Sequence, residues 1–197
     1  MSGVNRHIGI FGGSFNPIHI GHLILADYIS QFTDVDEVWF MLSPLNPLKS
    51  HPEELIDDSL RMEMLAIATE GNPRLRPCDV ELNMPRPSYT VNSLDRLSEM
   101  YPDYRFSLII GGDNWQIFPQ WREYSRILTH YSPIIYPRPG FFIDPQSLPS
   151  GVTLVNAPEV EISSTFLRKA IAEGKDMSNF MPHGVAEYIL KHKLYLK

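Results

Sequence analysis

At 197 residues, 43% of them apolar, the chain is long enough to bury one core without disulfides or a structural metal. Its single cysteine, Cys78, excludes an intramolecular disulfide framework and a CxxC zinc ribbon, which points to a reducing, cytoplasmic setting. Seventeen basic against 23 acidic side chains leave a net charge of −6 with no dense Lys/Arg block to track a nucleic-acid backbone, and no apolar run approaches the roughly 20 residues of a membrane span or forms a signal-peptide h-region.

Apolar, β-rich runs alternate with amphipathic helical patterns along the chain, which is the mark of βαβ units and a mostly parallel sheet with helices on both faces, in one domain over 1–197. The first strand, His7–Phe11, runs into Gly12-Gly13-Ser14-Phe15-Asn16-Pro17 and a helix over Gly21–Phe32. A strand at Glu37–Leu42, a helix at Ser59–Thr69, a strand at Leu75–Leu82 and a helix at Thr90–Met100 follow. The fourth strand, Phe106–Ile110, leads into Gly111-Gly112-Asp113 and a Trp-containing helix over Asn114–Leu128. Strands at Pro133–Tyr136 and Val152–Val155 flank a Pro/Gly-rich loop, and helices at Thr165–Glu173, stopped by Gly174, and Val185–His192 end the pattern.

In a doubly wound sheet the strand order reverses beside the first strand, so the loops leaving the first and fourth strands face each other across a crevice. Both glycine pairs fall there. Glycine lets backbone amides approach a phosphate, and the positive end of the following helix points to the same place. His19 and His22, three residues apart, project from one face of that helix start. Gly21 between them costs about 1 kcal/mol against Ala in a helix, which is consistent with a flat group such as adenine lying on that turn. A His-x-x-His pair at a helix start also suits a structural role or a metal, although no third ligand stands nearby. The segment is neither a Walker loop nor a dinucleotide fingerprint, since Gly-Lys-Ser/Thr and Gly-x-Gly-x-x-Gly are both absent.

Gly12-Gly13-Ser14-Phe15-Asn16-Pro17 followed by His19-Ile20-Gly21-His22 resembles the signature of the nucleotidylyltransferase superfamily, whose HxGH histidines stabilise the phosphates of ATP. The superfamily shares that motif with class I aminoacyl-tRNA synthetases. Ile162-Ser163-Ser164-Thr165-Phe166-Leu167-Arg168 resembles its ISSTxxR pattern, where hydroxyls and amides at a helix start and an Arg one turn on make a second anion cradle. Further segments are similar to the bacterial nicotinate mononucleotide adenylyltransferases over nearly the whole chain. Ser88-Tyr89-Thr90 resembles the family's SYT motif at the nicotinate carboxylate, and Trp121, followed by Arg122, falls where the pyridine ring stacks. Gly112 and Asp113 match contacts to the adenosine side, Arg138 a basic residue beside the mononucleotide, and Tyr188-Ile189 and Leu194-Tyr195 the family's C-terminal ending.

The resemblance implies a Rossmann-like doubly wound α/β fold and transfer of the adenylyl group of ATP to nicotinate mononucleotide, with pyrophosphate released and Mg2+ carried mainly on the ATP phosphates. It implies catalytic roles for His19, His22, Lys49 and Arg168. ATP would be bound by Gly12, Gly13, Ser14, Phe15, Gly21, Gly112, Asp113, Ser163, Ser164 and Thr165, and the mononucleotide by Asn16, Tyr89, Thr90, Trp121, Arg122 and Arg138. Asn16 and Ser14 replace the family's usual Asp and Thr. Asn46-Pro47-Leu48-Lys49 keeps the Lys of a PPHK-like segment but has Leu48 where His is expected, with His51 close by. Alternatives are a sister enzyme using nicotinamide mononucleotide or phosphopantetheine, and a sensor that binds ATP without releasing pyrophosphate. Lys175-Asp176-Met177-Ser178 resembles the synthetase KMSKS only weakly, and no tRNA-binding extension follows it.

Overall fold

Six parallel strands in the order β3-β2-β1-β4-β5-β6 form the sheet of the computed structural model, which describes residues 6–44 and 55–196. The strands are β1 (Arg6–Gly13), β2 (Glu37–Leu42), β3 (Leu75–Cys78), β4 (Tyr104–Gly111), β5 (Ile134–Tyr136) and β6 (Thr153–Leu154). The helices are α1 (Ile20–Phe32), α2 (Asp58–Thr69), α3 (Thr90–Met100), α4 (Gly112–Ile117), α5 (Tyr124–His130), α6 (Ser164–Ala172) and α7 (His183–Lys191). The order reverses between β1 and β4, as the two glycine pairs suggest.

Strand alternation separates two buried clusters. Phe11, Phe40 and Ile109 face one side with Leu25 and Ile29 of α1, Met64 and Leu65 of α2, Leu167 of α6 and Ile189 of α7. Ile10, Trp39 and Leu108 face the other with Val91 and Leu94 of α3 and Ile127 of α5. Covered on both faces, β2 is buried at all six positions and reads as a continuous apolar run from Val38 to Leu42. Among the described residues no helix is long and apolar enough to cross a membrane.

Two expected elements differ. The strand expected over Leu75–Leu82 ends at Cys78, and Val80–Asn83 coils into a 3-10 turn that buries Val80 and Glu81. Pro77 is tolerated in β3 because β3 is an edge strand. The helix expected over Asn114–Leu128 is three pieces: α4, a 3-10 turn at Phe118–Gln120 and α5. Pro119 supplies no amide donor, and Glu123 adopts φ +52°, so the α-helical ladder cannot run through. The break swings Trp121 and Arg122 toward the C-terminal ends of the strands. β1 and β4 also run further than expected, so Gly12, Gly13 and Gly111 are strand residues and Gly112 opens α4 directly.

Candidate active site

At the switch point the C-terminal ends of β1 and β4 open into two adjoining cavities. The larger, about 220 Å³, is lined among others by Gly12, Gly13, Tyr89, Thr90, Trp121 and Arg122. The smaller, about 30 Å³, lies against His19, Gly21, His22, Arg138 and Val160. Phe11 and Tyr136, whose ring centroids are 5.8 Å apart, line both and form the shared wall.

The first strand delivers its chain into this wall. Phe15 has φ +42°, a left-handed conformation that an aromatic residue adopts only when its surroundings impose it. Here its ring is clamped edge-on between Phe11, Phe40 and His22. His19 is the N-cap of α1, and its ring stacks on His22 with centroids 3.7 Å apart. The His19 N–H donates to His22 Nδ1 at 3.2 Å, so a neutral His22 carries its proton on Nε2. Burial, and secondarily the charge of Arg138, push the His19 imidazole down from 6.5 to about 4. The ring is therefore neutral at pH 7 and offers one N–H. Gly21 has a local reason: a Cβ there would lie 3.1 Å from His19 Nδ1 and 3.4 Å from Val160, so the glycine makes room for the histidine ring itself.

Among the described residues four buried side-chain atoms have no hydrogen-bond partner within the chain: His19 Nδ1, Asp113 Oδ1, Trp121 Nε1 and Arg138 Nε. Trp121 lines the larger cavity, His19 and Arg138 line the smaller, and Asp113 stands beside Arg138. Asp113 Oδ1 and Arg138 Nε are 3.8 Å apart, an ion pair without a hydrogen bond. Such atoms are rare in folded proteins, and their clustering marks where polar groups of a ligand belong.

The opposite lip is built by α3. Tyr89 is its N-cap and leaves the first amides uncapped by any side chain. Glu81, 3% exposed, fixes that turn by accepting from Ser88 Oγ and Ser93 Oγ, both at 2.8 Å. The Arg122 guanidinium lies 4.7 Å from the Tyr89 ring centroid, which closes the lip with a cation–π contact.

The segment carrying Ser163, Ser164, Thr165 and Arg168 docks against the loop after β1. Ser163 caps α6 by accepting from Phe166 N at 3.2 Å, Ser164 Oγ donates to Pro17 O at 2.9 Å, and Arg168 Nη1 donates to Asn16 O at 3.0 Å. Asn16 is buried, and its Oδ1 accepts from Tyr195 at 2.8 Å. Arg138 stands with the histidines rather than beside Trp121. Lys49, with Leu48 and His51, lies outside the described residues. Sequence reasoning missed Glu81, the Phe11–Tyr136 wall and Arg61. Arg61 had a signal: it shares the face of α2 that buries Met64 and Leu65, at spacings of three and four.

A doubly wound sheet with an amide-rich turn and paired histidines at its switch point defines a nucleotide-binding domain. The chain belongs to the cytidylyltransferase-like family, whose model matches residues 10–170. It is 50% identical, over 93% of this chain and 91% of the relative, to a probable nicotinate-nucleotide adenylyltransferase of Bacteroides thetaiotaomicron. It is 49% identical, over 93% and 90%, to a protein of the same description from Bacteroides fragilis. Among solved structures, a Plasmodium falciparum nicotinic acid mononucleotide adenylyltransferase complexed with NaAD superposes with a TM-score of 0.78 at 25% identity, covering 97% of this chain and 98% of the other.

Proposed function

We propose that the protein transfers the adenylyl group of ATP to nicotinate mononucleotide, giving nicotinate adenine dinucleotide and pyrophosphate, in NAD biosynthesis. The observation that carries this reading is the pair of cavities divided by the Phe11–Tyr136 wall, one with histidines and an arginine, the other with an aromatic floor and open amides. A dinucleotide product is two such halves joined through phosphates.

The mononucleotide phosphate is ionised at pH 7 and attacks the α-phosphorus of ATP, so no side-chain nucleophile is required. Catalysis then consists of aligning two polyanions and stabilising the charge on the transferring group and the leaving pyrophosphate. His19 and His22 supply N–H donors at the start of α1, and Arg138 supplies positive charge beside them. Arg168, Ser164 and Thr165 serve the distal phosphates, with Lys49 assigned there by its place in the sequence. On the other side of the wall, Trp121 stacks on the pyridine ring while Thr90 and Arg122 answer its carboxylate. Among the described residues no group of three or more His, Cys, Asp or Glu could hold a metal ion. Mg2+ held by ATP phosphate oxygens would neutralise charge there, with few protein ligands needed.

A coupled pyrophosphate-release assay with ATP and each pyridine mononucleotide tests the reading. Turnover with nicotinate mononucleotide is expected; ATP binding without pyrophosphate release from either mononucleotide would make the protein a sensor instead.

A further inference from the structure

A loop presents amides to an anion only if its carbonyl oxygens face elsewhere, because the C=O and N–H of a trans peptide point in opposite directions. At the end of β1 and in the loop after it four carbonyls are taken up by donors, although that of Asn16 turns no amide because Pro17 has no N–H. Gly13 O accepts from Ser43 N at 2.9 Å, Asn16 O from Arg168 Nη1 at 3.0 Å and Pro17 O from Ser164 Oγ at 2.9 Å. Ser14 O accepts from Arg61 Nη1 at 2.7 Å. Arg168 and Ser164 belong to a recognised motif. Arg61 belongs to none.

Arg61 is 0% exposed, which for a guanidinium is costly unless its donors are matched. They are matched chiefly by backbone: besides Ser14 O, Nη1 serves Ser43 O at 3.0 Å and Nε serves Ile56 O at 3.1 Å. Nη2 pairs with Asp58, whose other oxygen holds Arg86 at 2.7 Å, two residues before the Ser88-Tyr89-Thr90 turn. A charge kept for stability alone would need no such targets, since apolar packing serves a core equally well. This one spends a rigid fork on the ends of β1 and β2, and Ser43 lines the larger cavity.

We propose that Arg61 is a positioning residue for adenylyl transfer, which holds the ends of β1 and β2 from behind and turns the Phe15 N–H away from itself toward the polyphosphate. Arg61 touches no substrate. It acts by fixing which side of the Ser14–Phe15 peptide the phosphates meet. The inference rests on the adenylyltransferase reading above.

Arg61→Lys tests it, because an ammonium keeps the charge beside Asp58 but cannot hold Ser14 O, Ser43 O and Ile56 O in one plane. With activity expressed per folded molecule, kcat is expected to fall on the order of 10²-fold, the scale of an ångström's misplacement of reacting groups. The KM for the mononucleotide should change less than kcat does. A second variant, Arg61→Met with Asp58→Leu, removes both charges together so that no ion is left unpaired, and should lose kcat to a similar extent per folded molecule. If Arg61→Lys does not fold, the double variant decides. Either variant folded and within about twofold of wild-type kcat overturns the proposal, as does activity that declines only in step with the folded fraction. Calorimetric titration with ATP separates the two readings. Should the wild-type protein turn over neither mononucleotide, the adenylyltransferase reading fails, and ATP binding then judges Arg61 by itself: weaker binding by the variants supports its role at the loop, equal binding removes it.

Discussion

The two ends of the β1–β4 pair each bury a histidine, and the two histidines are treated in opposite ways. At the N-terminal end, His7 has Nε2 2.7 Å from Ser107 Oγ and Nδ1 3.0 Å from Asp34 O, while its own N–H donates to Asp36 at 2.7 Å. Nearby, Trp39 Nε1 donates to Glu37 at 2.9 Å, and Arg6 pairs with the same carboxylate. At the C-terminal end, His19 Nδ1 has no partner, and neither have Asp113 Oδ1, Trp121 Nε1 and Arg138 Nε. A satisfied polar cluster stabilises a fold; an unsatisfied one is kept for something that arrives later. The contrast therefore separates residues that hold the molecule together from residues held ready by it.

The sharpest way to break this contrast is to remove each histidine. His19→Ala or His22→Ala is expected to lower turnover by roughly 10²- to 10³-fold, the usual loss of one donor to developing charge, with little change in melting temperature. His7→Ala should do the reverse, costing about 1–3 kcal/mol through the groups it leaves unpaired while turnover per folded molecule is kept. Kinetics and urea unfolding on the same three variants check this, and near-wild-type turnover in both site variants would end the catalytic assignment.

Acid titration comes next in size. Burial holds both imidazoles below 6.5, His19 at about 4 and His7 lower than its usual value with Arg105 assisting. Below pH 6.5 the unfolded chain therefore binds protons that the folded chain refuses, so stability falls as pH falls from 6.5 toward 4. For His19 the full loss is about 3 kcal/mol. Urea midpoints between pH 7 and 4.5 should show the decline, and His19→Asn should flatten it in part. If the slope is unchanged in that variant, His19 is not the buried group titrating.

A smaller effect concerns the lip rather than the wall. Donors at Thr90 and Arg122 should favour the nicotinate carboxylate, since charge-assisted bonds are about twice as strong as neutral ones. Trp121→Ala should weaken nicotinate and nicotinamide mononucleotides together, roughly tenfold each for a lost stacking contact, leaving their ratio of kcat/KM intact. A change in that ratio would make Trp121 a selectivity residue instead.

Much of the satisfied end and the outline of the ready end were legible in sequence. Strand alternation and the two glycine pairs mark β1, β4 and the reversal between them, because period-two burial and close backbone approach leave compositional traces. Buried charge leaves few. Glu81 reads as an ordinary surface residue until the 3-10 turn at Val80 is known, and Arg61 is marked only by its spacing from Met64 and Leu65 on α2. The break that carries Trp121 depends on Glu123 taking a left-handed conformation, for which a glutamate gives no warning. Arg168 was recognisable by motif, but its bond to Asn16 O joins positions 152 residues apart, which local patterning cannot register.

That separation has a consequence for how the molecule comes into being. The loop after β1 is made before the groups that hold its Asn16 and Pro17 carbonyls, since Arg168 and Ser164 follow 152 and 147 positions later. Domains fold as units, and contacts so far apart in sequence form late. A chain made only as far as β4 thus carries both histidines and the glycines of β1 but none of the α6 groups that hold the loop between them. The loop and α6 are therefore fixed against each other together, and neither segment alone holds those two carbonyls.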